Sequence, residues 1–252
     1  FHADSLRSNI GVLPLRGSEL TEVTEGDSFD QFPRWSPGDK RRIVFQSAGI
    51  GRNAAGQFAG LAPCEIHALD LDSGELAELA AESGRDLLQP RETADGALFY
   101  IRKPYESGAP DASLFGALKD ALLFPIRIGQ AIFQYLNFFS IAYGGKPLVT
   151  SKGAVQRQID PRQLFVYGNF ARAQHLQISQ DQGQLTVPAS WELVRRDPAG
   201  GVKVMARNVF AFDLAPDGSV IHSDGASIWR TSTAGIRERL AQGEMIDHVA
   251  VL

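Results

Sequence analysis

The chain has 252 residues, 44% of them hydrophobic and 21% charged, with 25 Lys and Arg against 29 Asp and Glu for a net charge of −4. That apolar content excludes a disordered chain, and the slight acidity removes the broad basic footprint of a nucleic-acid binder. A single cysteine, Cys64, excludes an internal disulfide and a cysteine-built zinc site, so no metal or other cofactor is expected.

Taken in chain order, the first residues (Phe1-His2-Ala3-Asp4) read as strand, with no basic region leading into an apolar one. Residues 10–24 alternate apolar and polar, turn at Arg16-Gly17 and resume, which predicts a hairpin. Residues 31–47 give a short strand ending at Pro33-Arg34-Trp35, a turn at Pro37-Gly38-Asp39, and a strand Ile43-Val-Phe-Gln-Ser47. Residues 65–79 alternate again around Ser73-Gly74. The same order of strand, Asp/Gly turn and strand recurs at 89–101 around Asp95-Gly96 and at 210–223 around Asp217-Gly218. A further hairpin at 227–240 turns at Ala234-Gly235. Gly tolerates positive φ and Asp bonds locally to the backbone, so an Asp-Gly step suits a tight hairpin. Four short antiparallel strands repeating every 45 residues or so are the pattern of a β-propeller blade.

The fold class predicted is therefore all-β, a β-propeller of about five to six four-stranded blades in one domain over 1–252. Residues 164–168 with 190–206 read as a degenerate blade of their own. The apolar run 245–252 reads as an inner strand that pairs with residues 1–24 and closes the ring; the rival reading is a piece of a longer propeller. Residues 111–139 break the β pattern. Leu114, Leu118 and Leu122 share a helical face, Pro125 ends or kinks that helix, and Ile128, Ile132, Tyr135, Leu136 and Phe139 line a second face that Phe133 widens. Lys119, Asp120, Arg127, Gln130, Gln134 and Asn137 argue against a transmembrane span. Helices of this kind most often pack on their own domain; the other readings of the insertion are partner docking at Phe133, Leu136 and Phe139, and contact with a membrane surface.

The stretch Pro33-Arg-Trp-Ser-Pro-Gly-Asp-Lys40, followed by Ile66-His-Ala-Leu-Asp-Leu-Asp-Ser-Gly-Glu75, resembles the repeat of TolB-like β-propellers. The resemblance covers residues 10–105 and 208–240. It departs at Gly38-Asp39, where the Asp-Gly order of that family is reversed, and at Leu214-Ala-Pro216, which replaces Trp-Ser-Pro. It implies the propeller fold, a habit of binding another protein or peptide, and a bacterial, periplasmic setting. It carries no catalytic residue.

Direct chemistry is sparse. His2, His67, His175, His222 and His248 form no ligand pair, and each reads as a structural histidine. Gly49-Ile-Gly-Arg-Asn-Ala-Ala-Gly56 imitates a dinucleotide fingerprint with the wrong spacing and falls in a long hairpin connection, where Arg52 and Asn53 are candidate partner contacts. Asp70, Asp72 and Glu75 read as a hairpin turn rather than a calcium loop. Arg34 and Arg91, near the starts of repeats, are candidates to line the central channel and attract a carboxylate. Trp35, Trp191 and Trp229 read as buried blade residues, with a stacking platform as the alternative. The function predicted is a non-catalytic scaffold that binds protein. The alternative is a propeller hydrolase or lyase, or the regulatory propeller of a larger hydrolase, with a ligand at the channel.

Overall fold

Three antiparallel sheets, each with four strands along its main path, follow one another along the chain. The computed structural model describes residues 7–38, 41–54, 56, 58–105, 177–178, 185–243 and 246–251. The helices expected at 111–139 and the strand expected at 164–168 lie outside those residues.

Sheet I is the hairpin β1 (Gly11–Val12) and β2 (Thr21–Glu22), where residues 10–24 predicted one. Sheet II runs β3 (Ser28–Trp35), β4 (Arg42–Arg52), β6 (Glu65–Asp70) and β7 (Leu76–Ala80), and the far end of β4 folds back on β5 (Phe58–Leu61). Sheet IV is a plain meander of β14 (Ala211–Leu214), β15 (Val220–Ser223), β16 (Ser227–Thr231) and β17 (Arg237–Gln242). Sheet III corrects the sequence reading. Its inner pair is β8 (Arg85–Glu92) and β9 (Leu98–Pro104), and its outer pair is β12 (Glu192–Arg196) and β13 (Val202–Arg207). Residues 192–207 thus complete the blade begun at 85–104 instead of forming a separate one. Between them β10 (Gln177–Ile178) and β11 (Leu185–Thr186) pair as a small hairpin. These sheets are blades of a β-propeller.

One turn chemistry recurs. In the loops 93–97, 197–201, 215–219 and 232–236 the first N–H bonds the last C=O, and the fourth residue, a glycine, donates back to the first C=O. At Gly218 φ is +79°, and an added Cβ would meet Thr233 at 3.2 Å, so only glycine fits without strain. The loop after β3, where Gly-Asp replaces Asp-Gly, is longer: Trp35 pairs with Ile43 across residues 36–42.

Apolar side chains seal successive blades. Ile10, Val12 and Val23 of sheet I meet Ile43, Phe45 and Leu69 of sheet II. Ile66 and Ala80 of sheet II meet Leu87, Leu98, Tyr100 and Val194 of sheet III. Each fully buried side chain of this size contributes about 1.5–3 kcal/mol. Between sheets III and IV, Trp191 lies with its ring centre 6.0 Å from that of Phe210.

The inner strands β3 and β8 each carry a bulge, where Phe32-Pro33 and Gln89-Pro90 face a single residue across the pair. Phe32 and Gln89 take φ of +53° and +54°, a conformation that costs a non-glycine residue of order 1–3 kcal/mol. At Gln89 the bulge turns its groups toward both neighbours. Its N–H donates to Gln46 Oε1 of sheet II at 2.8 Å, and its side-chain amide donates to the Phe210 carbonyl of sheet IV at 3.1 Å. Both glutamines are buried.

The far end departs from expectation as well. Residues 246–251 form no strand. Ile246 N–H bonds the Gly225 carbonyl, Ser223 Oγ donates to the Ile246 carbonyl, and Val251 N–H bonds Asp213 Oδ2, all on sheet IV.

Replacing Gln46 by Leu strands the buried Gln89 N–H, so urea unfolding of Gln46→Leu should show a loss of about 1–3 kcal/mol. Gln31→Leu should cost distinctly less, because the Gln31 contact to Gln46 is long at 3.5 Å.

Candidate functional site

Alignment of the three inner strands by register puts Arg34, Arg91 and Asp213 at one level, opposite Val44, Phe99 and Ile221. The next level holds Trp35, Glu92 and Leu214. Arg91 reaches forward to Asp213 of the following blade at 3.4 Å and lies over the Phe212 ring at 5.8 Å. Glu92 reaches back to Arg42 of the preceding blade, which donates to both its oxygens at 2.7 and 2.8 Å. Sequence reading singled out Arg91 but missed Glu92, Asp213 and the role of Arg42. The signal was present: the repeat places Pro33-Arg34-Trp35, Pro90-Arg91-Glu92 and Phe212-Asp213-Leu214 in line.

Other charges are consumed between blades or across strands. Lys103 donates to Asp86 at 2.6 Å, both side chains being buried, and the other Asp86 oxygen accepts the Cys64 N–H. Burial pushes the Cys64 thiol well above its ordinary pKa and the Asp86 charge adds to it, so the thiol stays protonated and inert. Arg102, Glu192 and Arg207 stand side by side on β9, β12 and β13 and alternate in sign, with Arg102 also holding Glu82 at 3.1 Å. Tyr100 donates to that Glu82, and burial together with the Glu82 charge raises the phenol to about 12.

Arg52 is pinned by its own blade. Its guanidinium makes two 2.8 Å bonds to Asp27 and a third, at 3.2 Å, to the Gly56 carbonyl. The hydrogen bond to Arg52 is the largest influence lowering the Asp27 pKa. Asn53 sits at the tip of this β4–β5 hairpin, its carbonyl accepting the Gly56 N–H. Phe133, Leu136 and Phe139 lie outside the described residues. The Gly49–Gly56 stretch forms the β4–β5 hairpin, and Asp70 Oδ1 accepts the N–H groups of Asp72 and Ser73, closing the predicted turn. Of the tryptophans, Trp191 is buried, Trp229 is half-buried and Trp35 is 57% exposed. The expectation of buried tryptophans therefore fails at position 35.

A shallow recess of about 230 Å³ is lined by Arg42, Ala68, Asp70, Glu75 and Ala77. It is smaller than a usual small-molecule site. Among the described residues no three His, Cys, Asp or Glu side chains converge, and no helix is long and apolar enough to cross a membrane.

No protein-family model matches the sequence, and no curated protein does. Solved structures that the chain matches include YjhT, at 9% identity and a TM-score of 0.34, over 89% of this chain and 56% of that one. The tricorn protease matches at 12% and 0.38, over 92% of this chain and 24% of that one. TolB from Acinetobacter baumannii matches at 16% and 0.27, over 95% and 61%. The chain spans less than two thirds of the length of each of these.

His222 occupies the register position of Phe45 and Tyr100 and is fully buried. Its Nε2 meets Thr231 Oγ1 at 3.1 Å, while Nδ1 has no partner among the described residues. Burial, then the nearby Arg237 charge, lowers its pKa from 6.5 to about 4, against a smaller opposing pull from Asp224. A histidine so depressed binds fewer protons folded than unfolded. Its contribution is therefore intact above pH 6.5 and lost as the pH falls from 6.5 toward 4, by up to about 3 kcal/mol. Urea unfolding between pH 7 and 4 should show this slope in the native chain and a flatter one in His222→Phe.

Proposed function

We propose that the chain acts as a non-catalytic, TolB-like propeller module of the bacterial envelope, periplasmic in setting, that binds another protein or peptide on one rim. The observation that carries this reading is where the elaborated connections fall. In sheet II the link from second to third strand contains the β4–β5 hairpin with Arg52 and Asn53. In sheet III the same link, from Pro104 to Glu192, contains residues 111–139 with Phe133, Leu136 and Phe139. In sheet IV it is the short turn 224–226. Links of the same kind emerge on one rim, so both elaborations start from the same side of the blades. Their roots are tied together, because Tyr105 Oη donates to the Leu61 carbonyl.

Long loops on a rigid scaffold are the usual place for recognition. The scaffold is held by the relay through Gln46 and Gln89 and by the ion pairs of Arg42 with Glu92 and Arg91 with Asp213. Arg52 is held against Asp27 before any partner arrives, which lowers the ordering cost of an encounter at the hairpin.

The test is affinity capture of envelope proteins with the full chain, read by mass spectrometry. A defined partner should be retained by the native chain and lost, about tenfold or more, with Phe133→Asp/Leu136→Asp, while the thermal unfolding of the blades stays unchanged. Equal retention by the double variant would overturn the assignment of Phe133 and Leu136 to partner binding.

A further inference from the structure

A different end of the blades carries an unbalanced charge. At the register level of Arg34, Arg91 and Asp213, Arg91 is satisfied by the carboxylate of the next blade. The neighbour that would do the same for Arg34 is Arg91, a cation. The residue one level on from Arg91, Glu92, is already held by Arg42. Arg34 is exposed and, among the described residues, its side chain makes no ion pair or hydrogen bond. Beside it Trp35 is 57% exposed, whereas Glu92 at the same level of sheet III has a side chain only 14% exposed. Among the described residues the buried Ser36 hydroxyl has no partner, although Thr93 at the matching position bonds the Ala97 carbonyl at 2.9 Å.

We infer that Arg34 and Trp35 form a second binding site, at the end of the blades opposite the β4–β5 hairpin, for an acidic, extended segment of a protein. A guanidinium bonds a carboxylate through two parallel N–H groups. Exposed Trp and Arg are the side chains that most often dominate an interface once covered. The strand that presents them is paired with β4, Arg34 opposite Val44 and Trp35 opposite Ile43, so the two side chains sit on a hydrogen-bonded base. The bond missing on the protein, a carboxylate for Arg34, is the one such a segment supplies. This site uses none of the residues of the rim proposed above.

The test is fluorescence anisotropy with the full chain and a short labelled peptide of alternating glutamate and glycine, beside its glutamine counterpart. The glutamate peptide should bind, and the glutamine peptide should bind at least about tenfold more weakly. Arg34→Gln should weaken the glutamate peptide by a similar factor, Arg34→Lys by less, and Trp35→Ala measurably. Among the described residues the Arg34 side chain makes no ion pair or hydrogen bond, so Arg34→Gln should keep the melting temperature of the native chain. Phe133→Asp/Leu136→Asp should leave the peptide affinity unchanged, which separates this site from the rim. Equal binding by Arg34→Gln, or equal binding of the two peptides, overturns the inference. Displacement by inorganic phosphate at concentrations matching the peptide's own affinity overturns it too, by reducing the site to one for small anions.

Discussion

The hydrogen-bond relay through Gln89 is the constraint on which the rest of this propeller depends. A bulge forces Gln89 into a left-handed conformation, and that conformation turns its N–H toward Gln46 of one blade and its side chain toward the Phe210 carbonyl of the other. Without both acceptors a buried donor would stand alone at the inner strands, at a cost comparable to the strain of the bulge itself. The cost of the conformation and the gain from the bonds therefore belong together. Three blades are linked at one residue, and the ion pairs Arg42–Glu92 and Arg91–Asp213 repeat the linkage toward the turn end of the same strands.

This arrangement explains why so many charged side chains near the inner strands are structural. A carboxylate or guanidinium between blades is shielded from water and must be matched. Arg42 with Glu92 and Arg91 with Asp213 are matched across blades, and Lys103 with Asp86 is matched in full burial within sheet III. Arg34 breaks the pattern because the blade beside it presents Arg91. The turn end of β3 therefore presents an exposed arginine, Arg34, beside an exposed tryptophan, Trp35.

Much of the fold was legible in the sequence. Period-two alternation and glycine turns give the hairpins, and the glycine at the fourth position of the 215–219 loop is required by its backbone angle. The pairing of β9 with β12 was not legible, because Arg102 and Glu192 meet across a separation of 90 residues and local pattern carries no register over that span. The strand expected at the far end failed for a related reason. An apolar run does not specify its partner, and residues 246–251 satisfy their backbone on turns and side chains of sheet IV. Of the candidate residues, Arg91 was found for its position, while its partner on the next blade, Asp213, was not. Arg52 was found for its loop, and its bond to Asp27 was hidden because the two are brought together by the antiparallel pairing of β3 with β4.

The most direct measurement of the relay is amide hydrogen exchange in the native chain. If Gln89 joins the blades, its N–H exchanges only with the cooperative opening that also releases Ile101 and Leu193, and its protection matches theirs. A Gln89 amide that exchanges rapidly while Ile101 and Leu193 remain protected would show that the bulge opens by itself, and would contradict the account.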